Sequence, residues 1–172
     1  MIGPAASAMA SAASVWALAA TAALAMDPPL TPAGWGELRI GMSEAEAVRR
    51  FGLTLAPDDG VNGPACRESR LPGPSGLTVM TEDGKVTRLT LYDRGSLKTD
   101  RGLSVGSTAA EVRNAYGAAL RATRHAYEDP PAAYLTYRVA KGGLGVRYEI
   151  GADRRVAAIH AGRSIDYVEG CL

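Results

Sequence analysis

His125 and His160 are the only histidines in the 172 residues, so any acid–base, nucleophilic or metal chemistry that needs an imidazole must use them. His125 stands in RATRHAYEDPP (121–131) with Tyr127, Glu128 and Asp129, a set able to build a proton relay or a single metal site, as in a small hydrolase. The competing reading of that stretch is an exposed loop tip ending at Pro130-Pro131. His160 lies between Ile159 and Ala161 in an apolar extended run, where an imidazole is more often structural than catalytic. No G-x-S-x-G, H-E-x-x-H, P-loop or dinucleotide glycine pattern occurs. The glycine-rich AKGGLGVRYEIG (140–151) opens no helix, which a phosphate cradle requires. The residues therefore assign no catalytic group, cofactor or metal, and catalysis is not expected.

Cys66 and Cys171 are the only cysteines. They are two unpaired thiols or one disulfide, and the second reading follows if the chain is exported to an oxidising compartment. Residues 1–25, MIGPAASAMASAASVWALAATAALA, carry no charge and end in the small-x-small pattern Ala23-Leu24-Ala25, which reads as a signal peptide cleaved before Met26. The basic residue that usually opens such a segment is missing, the first being Arg39, so a misplaced start or an uncleaved anchor is the alternative. The apolar stretch 15–25 is short for a span that needs about 20 apolar residues, so no stable membrane insertion is expected after cleavage. Net charge is +1 and the nineteen Lys and Arg are scattered, which leaves no basic field for nucleic acid.

The elements that must position these residues show in an internal repetition. LRIGMSEAEAVRRFG (38–52) returns 65 positions later, gap-free, as LSVGSTAAEVRNAYG (103–117). Ser43 precedes Glu46, and Thr108 precedes Glu111, by three residues, the spacing of a helix capping box. Ala47, Val48 and Phe51 make one helical stripe, Val112, Ala115 and Tyr116 the other, and Gly52 and Gly117 stop the two helices. Each helix precedes three alternating runs: CRESRL (66–71), LTVMTE (77–82) and VTRLTLYD (86–93), then YLTYRV (134–139), LGVRYEI (144–150) and VAAIHAGR (156–163). Asp83-Gly84 and Gly142-Gly143 supply turn chemistry. The chain thus divides into a signal peptide (1–25), a Pro- and Gly-rich extended linker (26–36), and two units, 37–100 and 101–172. The fold class is α+β: two tandem helix-plus-three-strand repeats on antiparallel sheet, the two sheets adjacent or continuous.

One sheet face, with Leu89, Leu91, Leu135, Val146, Tyr148 and Ile150, should hold the helices. The other carries Arg88, Thr90, Tyr92, Tyr134, Thr136, Arg138 and Arg147, an ordinary solvated face or a recognition surface rich in Tyr and Arg. With Tyr127 these seven form the candidate binding surface, and the loops TLAPDDGVNGPA (54–65) and RATRHAYEDPP flank it.

IGMSEAEAVRRFG and VGSTAAEVRNAYG, each followed by three short strands, resemble the superfamily of the β-lactamase inhibitor protein and the SmpA/OmlA (BamE-like) outer-membrane assembly lipoproteins. The tandem arrangement resembles the inhibitor protein more. The resemblance covers residues 36–163 and implies a secreted or periplasmic protein that holds or inhibits an envelope protein without catalysis. A structural accessory in outer-membrane or wall assembly is the alternative it allows. There is no lipobox cysteine, so membrane tethering is not expected, and two cysteines make one disulfide where the inhibitor protein has one in each half.

Overall fold

The computed structural model describes residues 27–55, 66–73, 76–92 and 94–171. The signal segment and most of the loop 54–65 lie outside the described residues. The fold is mixed α+β, with two short helices and antiparallel sheets.

Helix α1 spans Glu44–Phe51 and α2 spans Ala109–Tyr116. Around Thr108 the capping box is complete: its hydroxyl accepts from the Glu111 amide at 3.2 Å, and its own amide donates to the Glu111 carboxylate at 2.6 Å. The bond from the Thr108 backbone, then that from its hydroxyl, hold the Glu111 carboxyl below its ordinary range. Around Ser43 only half of the box forms, because Glu46 turns instead to Arg50 one turn later, at 3.0 Å. Gly52 ends α1 in the left-handed conformation (φ 65°), its amide donating to the Val48 carbonyl. Gly117 ends α2 in a different geometry, and a single 3-10 turn leads directly into a strand.

The segment read as an extended linker is instead folded in. Leu30–Thr31 (β1), Gly34–Trp35 (β2) and Leu38–Arg39 (β3) form a small antiparallel sheet. Leu30 and Leu38 are fully buried, and the Leu30 backbone bonds to the Lys98 carbonyl and the Asp100 amide. Two-residue strands have no periodicity to read.

Seven strands form one continuous sheet: Cys66–Arg70 (β4), Leu77–Glu82 (β5), Lys85–Leu91 (β6), Leu120–Arg124 (β7), Ala133–Arg138 (β8), Gly145–Ile150 (β9) and Val156–Gly162 (β10), in the order β4-β5-β6-β10-β9-β8-β7. The join is β6 against β10, with Leu91 opposite Ile159 and Thr90 opposite His160. Four strands follow α2, not three. The extra one, β7, is an edge strand of sequence LRATR whose last four residues are exposed, so it lacks the alternating apolar signal of a half-buried strand. Asp83 and Gly84 both take positive φ (49° and 70°), as a tight hairpin between β5 and β6 requires.

The helices cover one face, where Ala47 and Val112 join Leu77, Val79, Leu89, Leu91, Leu135, Val146, Tyr148 and Ile159 in one core. The Tyr148 hydroxyl on this side is accommodated: it meets Tyr116 at 2.9 Å and Thr99 at 3.4 Å.

At the end of β10, Gly162 adopts φ 137°, and a Cβ there would overlap the Thr87 carbonyl. This residue turns the chain from the sheet into residues 163–171, with the Arg163 amide donating to the Thr87 carbonyl at 2.9 Å. Gly162→Ala is expected to cost at least about 2 kcal/mol, since both backbone conformation and space disfavour a side chain; urea unfolding measures it.

Candidate functional site

Opposite the helices, the sheet carries polar side chains in register across its strands. One row runs Thr78, Thr90, His160, Arg147, Thr136, Arg121; the next runs Glu68, Met80, Arg88, Gly162, Gly145, Arg138. Such a face usually meets water, and the sequence pattern led to the same expectation. The structure corrects it. Arg88 and Thr90 are 1% exposed, and Tyr134, Thr136 and Arg147 are also buried. Of the eight residues expected to form a recognition surface, only Tyr92, Tyr127 and Arg138 are exposed.

The cover is the C-terminal segment. Ser164 offers its carbonyl to Arg88 and its hydroxyl to Glu82, and the Tyr167 hydroxyl donates to Glu82 at 3.0 Å. Asp166 accepts from both Arg138 and Arg147. Ile165, fully buried, packs over Gly145, where a Cβ would come within 2.8 Å of its Cδ1. Gly170 rests against the Glu68 carboxylate, and Cys171 closes the disulfide to Cys66, with Cα atoms 5.5 Å apart. From the other end of the sheet the loop after β7 folds over the same face, and the Tyr127 hydroxyl reaches Glu169.

Under this cover the charges are paired. Arg88 donates to Glu68 at 2.6 Å, a bond between a wholly buried guanidinium and a part-exposed carboxylate. Glu149 lies between the two histidines, its Oε1 3.2 Å from His125 Nε2 and its Oε2 3.6 Å from His160 Nε2. His125 Nδ1 accepts the amide N–H groups of Tyr127 and Glu128 at 3.2 and 3.0 Å, which fixes its proton on Nε2, toward Glu149. His125 is thus not an exposed loop tip: it is 5% exposed, stacked on Tyr134 with ring centroids 4.7 Å apart, and its carboxylate partner is Glu149. Tyr134 also meets Arg147, whose guanidinium carbon lies 4.6 Å from the ring centroid. His160 meets the Thr90 hydroxyl through Nδ1 at 3.0 Å and the edge of Tyr92.

Burial lowers the affinity of His160 for a proton, and the neighbouring Arg88 and Arg147 lower it further against the opposing pull of Glu149. The Glu149 carboxyl is held below its ordinary range by the hydrogen bond from His160, then by that from His125, against the opposing effect of burial. Among the described residues, no group of three or more His, Cys, Asp or Glu side chains could hold a metal ion, and no helix is long and apolar enough to cross a membrane.

Sequence reasoning did not single out Glu68, Asp166 or Tyr167. Cys171 was the available signal: pairing it with Cys66 on the edge strand forces the chain leaving β10 to cross β6 and β5.

No protein-family model matches the chain, and no curated protein matches it. The resemblance to the inhibitor protein and the assembly lipoproteins therefore gains no family assignment. Among solved structures, the chain is distantly similar to a cysteine-rich secretory protein from Staphylococcus aureus subsp. aureus Mu50, at 12% identity and a TM-score of 0.43, over 78% of this chain and 47% of that one. The match thus spans less than half of that protein's length.

Because native His160 resists a proton that the unfolded chain accepts near the ordinary imidazole value of about 6.5, its contribution to stability is complete above that pH and is lost as pH falls below it. Glu149 adds a second loss, beginning below about pH 4.5 and completed as pH falls through its depressed native value. Melting temperature should be flat above pH 7 and begin to fall as pH drops below about 6.5. His160→Gln should flatten that first decline and, by taking away the hydrogen bond that does most to hold Glu149 low, shrink the second, as thermal melts across pH 3–8 would measure.

Proposed function

We propose that the chain is an exported, non-catalytic binding protein that holds or inhibits a protein partner of the cell envelope, using the rim of the covered face. The observation that carries this reading is where its exposed aromatic surface lies. Among the described residues, Tyr92, Tyr127, Val139, Tyr167 and Val168 are the exposed large hydrophobics, and three of them, Tyr127 (68% exposed), Tyr167 (47%) and Val168, line one groove. Glu82, Glu169 and the Cys66–Cys171 disulfide complete its walls, around a volume of about 490 Å³.

Tyrosines anchor protein interfaces because each buries a large, rigid, amphipathic surface. Here the two hydroxyls are already bound, Tyr127 to Glu169 and Tyr167 to Glu82, and the disulfide fixes the tail that carries the second ring. Little side-chain freedom would be lost on docking. Export is supported by the disulfide, a bond favoured in oxidising compartments, together with the leader-like residues 1–25. The tandem reading of the chain is supported by the gap-free repetition of 38–52 at 103–117 and by one helix ahead of each group of strands. The absence of catalysis is supported by the two buried histidines, whose ring nitrogens are engaged by protein groups.

The test is affinity capture with tagged residues 26–172 from periplasmic extract, then titration of the captured protein against Tyr127→Ala/Tyr167→Ala. A one-to-one complex weakened about 100-fold or more by the double variant is the expected result, if each ring contributes as an interface anchor does. Unchanged affinity would remove the groove as the contact. Recovery of outer-membrane assembly proteins alone would put the accessory role in its place.

A further inference from the structure

A second concavity lies on the other side of the tail, lined by Ala119, Arg121, Thr123, Thr136, Arg138, Arg147 and Asp166, with a volume of about 480 Å³. Its chemistry differs from that of the tyrosine groove: three guanidiniums and two hydroxyls surround one carboxylate. Arg121, Thr136 and Arg147 are register partners on β7, β8 and β9, so all three project from one face, and Arg138 follows Thr136 by two residues on the same side. Adjacent strands lie about 4.8 Å apart, which places the Arg121 and Arg147 backbones about 10 Å from each other, within reach of one small ligand.

Asp166 shows what the cleft accepts. Arg147 donates to its Oδ1 at 3.2 Å and to its carbonyl at 3.1 Å, and Arg138 donates to its Oδ2. Arg147 is held for this contact by Thr136 and by the ring of Tyr134. It is buried, so its position is set before any ligand arrives. Arg138 is braced by the Gly143 carbonyl at 3.0 Å. Arg121 is different. It is exposed and makes no hydrogen bond, ion pair or ring contact among the described residues, so its fork of five N–H donors faces the cleft unengaged. One carboxylate among three guanidiniums leaves an excess of positive charge. Glu149 lies on the same face but is bound by His125 and His160.

We propose that this cleft is a binding site for a carboxylate anion, received by Arg121 and the free donors of Arg138 beside Asp166. Guanidinium forks match planar carboxylates in bidentate geometry, and the cleft has room for a four- to six-carbon dicarboxylic acid or an acidic side chain. The site is separate from the tyrosine groove and does not rest on the protein-binding reading.

The experiment is calorimetric titration of residues 26–172 at low ionic strength with succinate and with a triglutamate peptide. At least one probe should saturate a single site. Saturation by succinate points to a free dicarboxylate as ligand, and saturation by the peptide alone points to an acidic segment of a polypeptide. Arg121→Gln should weaken binding about tenfold or more without altering the circular dichroism spectrum, because Arg121 supports nothing else. Asp166→Asn should tighten it by removing the resident competitor, and Tyr127→Ala/Tyr167→Ala should leave it unchanged. Failure of both probes to saturate, or full binding by Arg121→Gln, would overturn the proposal.

Discussion

A seven-stranded sheet has two faces, and this chain has helices for only one of them. Two helices of eight residues bury the apolar side. On the other side Arg88 sits in the middle of the sheet at 1% exposure, and everything around it follows from having to satisfy that charge. An unpaired buried guanidinium costs several kcal/mol, so the face is viable only if each cation finds an acceptor and the polar layer is closed from above. Glu68 supplies the first acceptor, and the C-terminal segment supplies Ser164 and Asp166.

Closure depends on holding nine residues without secondary structure in place. The disulfide does this by joining their end to the edge strand across 105 residues. In the chain-entropy model a loop of that length stabilises the fold by about 4.7 kcal/mol, and here the bond also keeps the cover seated. The glycines at 162 and 145 are the complementary adjustment on the sheet: the first lets the chain turn back, and the second leaves room for Ile165. Covering the face moves the surface open to partners outward. The rings of Tyr127 and Tyr167 collect on one side of the tail and the guanidiniums of Arg121 and Arg138 on the other, so two chemically distinct concavities share one strap.

Much of the scaffold was legible because its signals are local. Thr108 and Glu111 mark a helix start by their spacing, Asp83-Gly84 marks a hairpin by its conformational freedom, and six long strands announce themselves by alternation. What was missed lacked a local signal. Strand β7 is exposed along most of its length, and β1, β2 and β3 are too short to alternate. The larger error concerned Arg88, Thr90, Tyr134, Thr136 and Arg147. Their alternation correctly gave them a common face, but one strand's pattern does not reveal that Glu68, two strands away, neutralises Arg88. Nor does it reveal that Asp166, beyond the last strand, neutralises Arg147. Two of the acceptors, Ser164 and Asp166, lay in residues 163–171, which have no periodicity, and only Cys171 hinted that this segment returns over the sheet.

Hydroxyl-radical footprinting read by mass spectrometry tests the covered face most directly, because Met80 and His160 on that face are reactive side chains whose modification requires access. With the disulfide intact, Tyr127 and Tyr167 should be modified rapidly while Met80, 1% exposed, and His160, 4% exposed, are protected; reduction of Cys66–Cys171 should raise the reactivity of both. Modification of Met80 and His160 in the oxidised protein at rates like those of the two tyrosines would contradict the account, and would return the sheet face to solvent as an open surface.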